Sequence, residues 1–407
     1  MNVLHINQSD IVGGAAIAGY RLHQGLLAQG IDSKLLVGNV KTQSNLVGQA
    51  TPTSFTLPER VLARIIPRLG LNHIHRISSF DIPKHDWYRA ADILNFHNLH
   101  TGYFNYLALP KLTATKPAIF TLHDMWSFTG HCAYSYDCSK WQTSCGQCPY
   151  PDTYPAIRRD ATHLEWRLKD WVYSRSNLVI VTLSHWLTEE AQASMLNRFP
   201  IHHIPNGIDT EAYQPLDPEL CRRALGLSPD KHVLLFGADS LIDSRKGGDL
   251  LKTALTQLPT ALKAETTVLT FGSSGEKIAD TVGIDTVSLG YISSDRLKAV
   301  AYSAADLFLF PTRADNLPLV LQESMACGTP MVSFKIGGVP DLVRPGITGY
   351  LAQPEDAQDF AIGIEQLLSN TALREQMSQN CREIALQEYS LSLQAERYIS
   401  LYTQALN

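Results

Sequence analysis

Several things are scarce or missing in this chain of 407 residues, and each absence excludes something. There is no basic excess: 34 Lys and Arg stand against 39 Asp and Glu, a formal net charge of -5. Broad nucleic-acid binding needs a basic surface that displaces counterions, so no nucleic-acid partner is expected. No apolar run reaches the length that spans a bilayer. The amino terminus, Met1 to Asn7, lacks a basic region, an apolar core and a small-residue cleavage site, so no signal peptide is expected and the expected compartment is the cytoplasm. Internal repeats and low-complexity segments are absent. So is any Asp-X-Asp motif, which fits a reaction that needs no divalent metal and no catalytic cofactor. The three-glycine dinucleotide fingerprint is missing as well.

What is present is an ordinary globular composition, 44% apolar and 18% charged, in a chain too long for one core and comfortable for two domains. Short apolar runs alternate with longer helical patterns, the mark of βα units on parallel sheets. In the first half the strand candidates are Val3–Ile6, Leu35–Val37, Ile93–Phe96, Ala118–Leu122 and Leu178–Leu183. In the second half they are Val233–Phe236, Val268–Phe271, Thr286–Leu289, Leu307–Phe310 and Met331–Phe334. Runs this short and this rich in Val, Ile, Leu and Phe suit strands covered on both faces. Two such sets predict two doubly wound α/β domains, 1–205 and 206–389, joined at the turn-forming Pro205-Asn206-Gly207. Residues 390–407 read as a helix that either closes the second domain or crosses back to the first.

Candidate chemistry sits after strands. Gly13 and Gly14 follow the first strand and open a helix running to about Ala28, where the backbone can approach an anion. A tight turn with no ligand is the competing reading. His123 and Asp124 end the run Ala118–Leu122, at the edge where open α/β sheets bind ligands, and His97-Asn98-Leu99-His100 follows a neighbouring strand. Capping is the alternative for such residues. Arg245 and Lys246 precede Gly247-Gly248 at the start of a helix, where side chains and dipole would together neutralise a diphosphate. Asp315 lies just outside a helix that carries Glu323 and stops at Gly328; carboxylates there can accept from paired sugar hydroxyls. The alternative gives Asp315 and Asn316 a capping role and leaves Glu323 on the surface.

Taken in order, Ile204-Pro205-Asn206-Gly207-Ile208-Asp209, Arg245-Lys246-Gly247, Asp315 to Glu323, Met325-Ala326-Cys327-Gly328-Thr329-Pro330 and Gly337-Gly338-Val339-Pro340-Asp341 resemble the retaining glycosyltransferases of family 4. The resemblance covers nearly the whole chain and is densest from Ile204 to Leu351. It implies the GT-B fold, two Rossmann-like domains facing each other across a cleft: an acceptor domain first and a nucleotide-sugar donor domain second. It implies that Glu323 binds the ribose and Asp315 the sugar hydroxyls, with Asn316 and Leu317 beside them. Lys246 matches the diphosphate-contacting lysine, Gly13 and Gly14 the glycine loop, and His123 a histidine near the reacting sugar. Two departures stand out. The first acid is Asp where the family usually has Glu, and Gly237 is followed by Ala238 where it usually has Arg; Arg245 is the candidate replacement.

The implied reaction moves a hexose-type sugar from a UDP- or GDP-sugar to a sugar or lipid-linked acceptor with retention, in polysaccharide or glycolipid assembly. Other readings are a nucleotide-sugar epimerase or phosphorylase on the same fold, and a non-catalytic sugar-binding protein. Two features lie outside the resemblance. Cys132, Cys138, Cys145 and Cys148, with His131 adjacent, suit a structural zinc site; unlinked thiols or a pair of disulfides are the alternative. Arg60, Arg64 and Arg68 stand four apart beside an apolar face. That pattern suits a helix lying on an anionic membrane, a peripheral position at the inner face. The expected arrangement is instead an ordinary amphipathic helix packed on its domain and cut short at Pro67.

Overall fold

A computed structural model describes residues 1–240, 243–273 and 283–407. The chain forms two compact units, Met1–Gly207 with Ser392–Asn407, and Ile208–Leu391. Each is a parallel sheet covered by helices.

The first unit carries β1 (Asn2–Ser9), β2 (Asp32–Asn39), β3 (Val47–Gln49), β4 (Ile93–Phe96), β5 (Ala118–Leu122), β6 (Val179–Thr182) and β7 (Ile201–His203), in the spatial order β3-β2-β1-β4-β5-β6-β7. The order reverses between β1 and β4, which leaves a crevice at the carboxyl ends of that pair. Every residue of β4 and β5 is buried, as the unbroken apolar runs require. One face packs an aromatic-rich core that includes Phe96, Phe104, Phe128, Trp126 and Trp141. The other face carries Val3, Ile93, Ile119 and Val181 against Leu22 and Leu26 of the helix Gly14–Ala28.

The C-terminal helix Leu391–Leu406 packs on that same face. Ala395, Tyr398, Leu401 and Tyr402 recur at three- and four-residue steps, so one stripe of the helix is buried. Two of its phenols also satisfy polar groups inside the sheet: Asn95 Nδ2 donates to Tyr402 Oη at 2.8 Å, and Thr121 Oγ1 lies 3.0 Å from Tyr398 Oη.

The second unit carries β8 (His232–Ser240), β9 (Thr266–Ser273), β10 (Asp285–Ser288), β11 (Leu307–Phe310), β12 (Met331–Phe334) and β13 (Gly349–Ala352), ordered β10-β9-β8-β11-β12-β13. Here the reversal falls between β8 and β11. The strands β3, β7 and β13 have no counterpart among the apolar runs: each is three or four residues long and partly exposed.

The helix Leu57–Ile65 meets the unit through Glu59, its one fully buried residue, and through the half-buried Leu62 and Ala63, while Leu57, Val61 and Ile65 are exposed.

The C-terminal helix should matter to the first unit through its hydroxyls as well as its apolar stripe. Tyr402→Phe keeps the ring but strands Asn95 Nδ2 in a dry site, which costs about 1–3 kcal/mol. Urea unfolding of the variant should show that loss with an unchanged denaturant slope; equal stability would mean that Asn95 finds another acceptor.

Candidate functional site

In the second unit the loops that leave β8 and β11 lie side by side, because the two strands pair directly. Asp243 caps the turn Ser244–Lys246, its carboxylate accepting from Arg245 N at 2.9 Å. The main-chain oxygen of Arg245 accepts from Arg313 N at 2.8 Å and from Thr312 Oγ1 at 3.1 Å. Gly247 then turns at φ 67°, and a Cβ there would lie 1.8 Å from the Pro311 carbonyl oxygen. Only glycine allows so close an approach with that backbone.

This lacing delivers two cations to one carboxylate. Lys246 Nζ donates to Asp315 Oδ2 at 2.7 Å, and Arg245 Nη1 donates to the same oxygen at 3.0 Å. Arg245 Nη1 also donates to the Ala314 carbonyl at 2.9 Å. The Asp315 main-chain oxygen accepts from Gly338 N at 3.2 Å, which ties the loop to the glycine pair after β12. Burial pushes the Asp315 carboxyl up, but Lys246 and Arg245 outweigh it and hold it below the usual carboxylate range. For Lys246, burial and the Arg245 charge outweigh Asp315, and its pKa falls below the ordinary lysine value. Two positive charges thus converge on Asp315, with Asp243 Oδ2 3.6 Å from Arg245 Nη2 as a second, more exposed counter-charge.

Pro318 caps the helix Leu319–Ala326, and Gly328 follows its end at φ 75°. Glu323 is buried on that helix rather than on the surface. Tyr302 Oη donates to Glu323 Oε2 at 3.3 Å; burial, then the Glu323 charge, raises the Tyr302 phenol far above its ordinary value. Asn316 and Leu317 are buried beside Asp315, and Asn316 N donates to Asp315 Oδ1 at 3.2 Å.

In the first unit, Gly13 caps the helix Gly14–Ala28 at φ 90° and, having no side chain, supplies no side-chain cap. His123 ends a chain of imidazoles, His5 and His97 buried and His123 half-buried: His5 Nδ1 lies 3.0 Å from His97 Nε2, and His97 Nδ1 lies 3.0 Å from His123 Nε2. His5 Nε2 is buried with no hydrogen-bond partner. An orphaned buried N–H is the rarer and costlier outcome, so a lone pair is assigned there. The donors then run from His5 to His97 to His123, leaving His123 with its proton on Nδ1. Burial keeps all three imidazoles neutral, with His123 lowered to about 4 and His5 to about 3. Asp124 does cap a turn, accepting from Trp126 N at 2.9 Å, and it also meets His100 Nε2 at 3.1 Å.

Cys132, Cys138, Cys145 and Cys148 are unbridged and partly buried. His131 Nδ1 lies 2.9 Å from the Pro155 carbonyl, which makes it the protonated nitrogen, and its Nε2 lies 3.2 Å from Cys148 Sγ. Gly130 N donates to Cys145 Sγ at 3.2 Å. Among the described residues, no three of these sulfur and imidazole ligand atoms fall within 4.8 Å of one another.

Sequence reasoning missed several residues of these sites. His5 signalled itself only as part of an alternating polar series, His5, Asn7 and Ser9, on one face of β1. Arg313 braces the cationic loop by donating to the Ser244 carbonyl at 2.7 Å and to both oxygens of Asp249 at 2.8 and 2.6 Å. Nothing local marks Thr312, Arg313 or Tyr302 for these roles, since their partners are distant in sequence.

Residues 12–212 match the family model Glycosyltransferase Family 4, and residues 221–384 match Glycosyl transferases group 1. The chain is 26% identical to WcaC of Escherichia coli (strain K12), which carries the assignment colanic acid biosynthesis glycosyl transferase, over 99% of each chain. Its fold is similar to that of sucrose-phosphate synthase from Thermosynechococcus elongatus, with a TM-score of 0.71, 19% identity and 99% of each chain covered. It is also similar to Anabaena Alr3699/HepE in complex with UDP-glucose, with a TM-score of 0.68, 17% identity, and 99% and 100% of the two chains covered.

The imidazoles generate a pH prediction. His5, His23 and His123 are lowered to about 3, 4 and 4, chiefly by burial, whereas unfolded histidine titrates near about 6.5. Between those values the unfolded chain binds more protons, so stability is full above the unfolded pKa and falls as pH drops through the window. Each group contributes a slope of up to about 1.4 kcal/mol per pH unit. The melting temperature should therefore fall between about pH 7 and about pH 5; a flat profile would contradict neutral burial.

Proposed function

The chain belongs to the family 4 glycosyltransferases of GT-B fold, and from that membership we propose that it moves a hexose-type sugar from a nucleotide diphosphate sugar to a sugar or lipid-linked acceptor. The carrying observation is the pair Arg245 and Lys246 converging on one oxygen of Asp315, at 3.0 and 2.7 Å. Two cations fixed side by side on laced loops, with Asp315 between them and Asp243 3.6 Å from Arg245, are arranged to receive a diphosphate in place of a carboxylate. As the sugar–phosphate bond breaks, negative charge grows on the leaving oxygen, and fixed cations stabilise that state more than the ground state.

In this reading Lys246 and Arg245 hold the diphosphate, and Asp315 turns to the sugar hydroxyls with Asn316 and Leu317 beside it. Glu323, kept in place by Tyr302, accepts from the ribose. Arg245 stands in for the arginine that Ala238 replaces. Gly13, Gly14 and His123 serve from the first unit, His123 as a neutral hydrogen-bond donor. The acceptor attacks from the face the phosphate leaves, which gives retention. UDP- and GDP-sugars are the donor candidates; support for UDP comes from the likeness to the UDP-glucose complex of Alr3699/HepE. The likeness to WcaC supports a place in polysaccharide assembly. With no Asp-X-Asp motif to seat a divalent ion, the cations carry the phosphate charge themselves.

Lys246→Ala should lower turnover by about a hundredfold to a thousandfold, the usual cost of one oriented donor at a developing oxyanion. Glu323→Ala should weaken donor binding with a native circular dichroism spectrum. Nucleotide release from UDP- and GDP-sugars measures both, and activity should persist in excess EDTA. Near-normal turnover in Lys246→Ala, or loss in EDTA restored by magnesium, would overturn these assignments.

We further read Cys132, Cys138, Cys145 and Cys148 as holding a structural zinc. Support comes from His131, whose Nδ1–H faces the Pro155 carbonyl and leaves a lone pair 3.2 Å from Cys148 Sγ. Purified protein should contain about one zinc per chain, and Cys148→Ser should lose metal and thermal stability together. Metal-free protein of unchanged stability would remove the site and leave the transferase reading intact.

A further inference from the structure

Where β4 and β5 end, the first unit has a pocket lined by one carboxylate, Asp124, and, among the described residues, by no lysine or arginine. His100, Trp126 and Ser127 line it as well. Asp124 Oδ2 lies 3.1 Å from His100 Nε2, which places the imidazole proton there and leaves a lone pair on Nδ1. Tyr154 Oη lies 3.3 Å from that Nδ1 and so donates to it, keeping its own lone pairs to accept. Asp124 Oδ1 accepts from Trp126 N at 2.9 Å, but a carboxylate has room for about four bonds, and 12% of this side chain is open. Burial pushes its carboxyl up; His100 and the hydrogen bonds outweigh that and hold it below the usual carboxylate range. Ser127 is 3% exposed, and its Oγ has no partner in the protein. A buried hydroxyl left unpaired is costly, so one in a pocket wall marks a place for a ligand atom.

The walls are held rigidly. Lys169 Nζ donates to the carbonyls of Trp126 and Thr129, and Tyr173 Oη donates to the Ser127 carbonyl at 2.7 Å, so the helix Thr162–Tyr173 clamps this loop. Thr101, next to His100, turns at φ 76°; that backbone is strained for a β-branched residue, and such strain gathers at ligand sites. Tyr154 arrives from beyond the cysteine run and is tied back to it by Ala133 N, which donates to the Tyr154 carbonyl at 2.9 Å. Its ring stands nearly perpendicular to His100, 5.5 Å between centres, yet 58% of the residue is exposed. An aromatic face next to a few fixed polar atoms is a surface that a sugar ring can cover.

Charge decides what this pocket can take. A sugar hydroxyl both donates and accepts, whereas a phosphate group brings acceptor oxygens and negative charge. Asp124 and Tyr154 offer lone pairs, and an oxyanion facing Asp124 in a half-buried place would be repelled. The buried cation of this region does not relieve that repulsion: Lys169 Nζ lies 3.7 Å from the centre of the Trp126 ring and is engaged by the two carbonyls. We propose that the pocket binds the uncharged sugar of the acceptor, with hydroxyls donating to Asp124 and Tyr154 and one accepting from Ser127, and that it refuses a phosphorylated sugar. That this sugar belongs to the acceptor rests on the transferase reading; the selection by charge does not.

The test is saturation-transfer NMR of the full chain, without donor, against the methyl glycosides of glucose, galactose and mannose and against the 1- and 6-phosphates of the same sugars. At least one glycoside should bind, and the phosphates should not. Asp124→Asn keeps the shape and the bond from Trp126 N but removes the charge; it should weaken glycoside binding by about tenfold or more and let phosphorylated sugars bind. Tyr154→Phe should weaken glycoside binding by about threefold to tenfold. Ser127→Ala should weaken it too while the melting temperature holds or rises, since that hydroxyl has no protein partner to lose. UDP binding should be unchanged in all three, which loss of the fold would not allow. Wild-type protein that binds the phosphates as well as the glycosides, or binds neither, would overturn the proposal. So would glycoside binding at full strength in both Asp124→Asn and Tyr154→Phe. A chain that binds glycosides in this way but turns over no nucleotide sugar would fell the transferase reading and uphold the pocket.

Discussion

Two like charges cannot be held together out of water without a counter-charge, and in the second unit that requirement falls first on Oδ2 of Asp315, with Asp243 assisting at Arg245. The pair and its acid come from loops after adjacent strands, and the arrangement survives only because those loops are fixed to each other. Arg313 and Thr312 close on the Arg245 carbonyl, Gly247 passes under Pro311, and Gly338 holds the Asp315 carbonyl. Behind them is the sheet order: β8 and β11 are neighbours at the point where the order reverses, so their loops leave side by side. Charge, loop and topology form one chain of dependence.

The first unit resolves a related problem with neutral groups. A stripe of buried polar side chains, His5, Asn95, His97 and Thr121, runs across the interior of its sheet to the half-buried His123. Buried polar groups are tolerated when they are paired, and here they pair with one another and with two tyrosines of the C-terminal helix. The last residues of the chain thereby stabilise the interior next to His123. Burial keeps the imidazoles uncharged, which suits a donor of hydrogen bonds better than a carrier of protons.

The apolar runs were legible as strands because parallel strands buried on both faces must be apolar throughout, and β4, β5, β11 and β12 agree with their runs residue for residue or within one. The short strands β3, β7 and β13 escaped notice because partly exposed strands carry mixed residues. The cations and the acids after β8 and β11 were legible as a spaced set. Their geometry was not: Lys246 and Asp315 are 69 positions apart, and only the sheet order makes them neighbours.

Composition, strand positions, the family pattern and the helix between Arg60 and Arg68 were thus determined by the sequence alone, because each is written in local periodicity or in fixed spacing. Tertiary structure decided which side of each element faces inward. His5 became the end of an imidazole chain because β1 lies beside β4, and Glu323 became buried because Tyr302 stands under its helix. The helix Leu57–Ile65 is the clearest case: its period of four reads the same whether the apolar side packs inward or faces out. Tertiary contacts settled it: the distant Ser78 binds Glu59, Leu62 and Ala63 are half-buried, and Leu57, Val61 and Ile65 face the solvent.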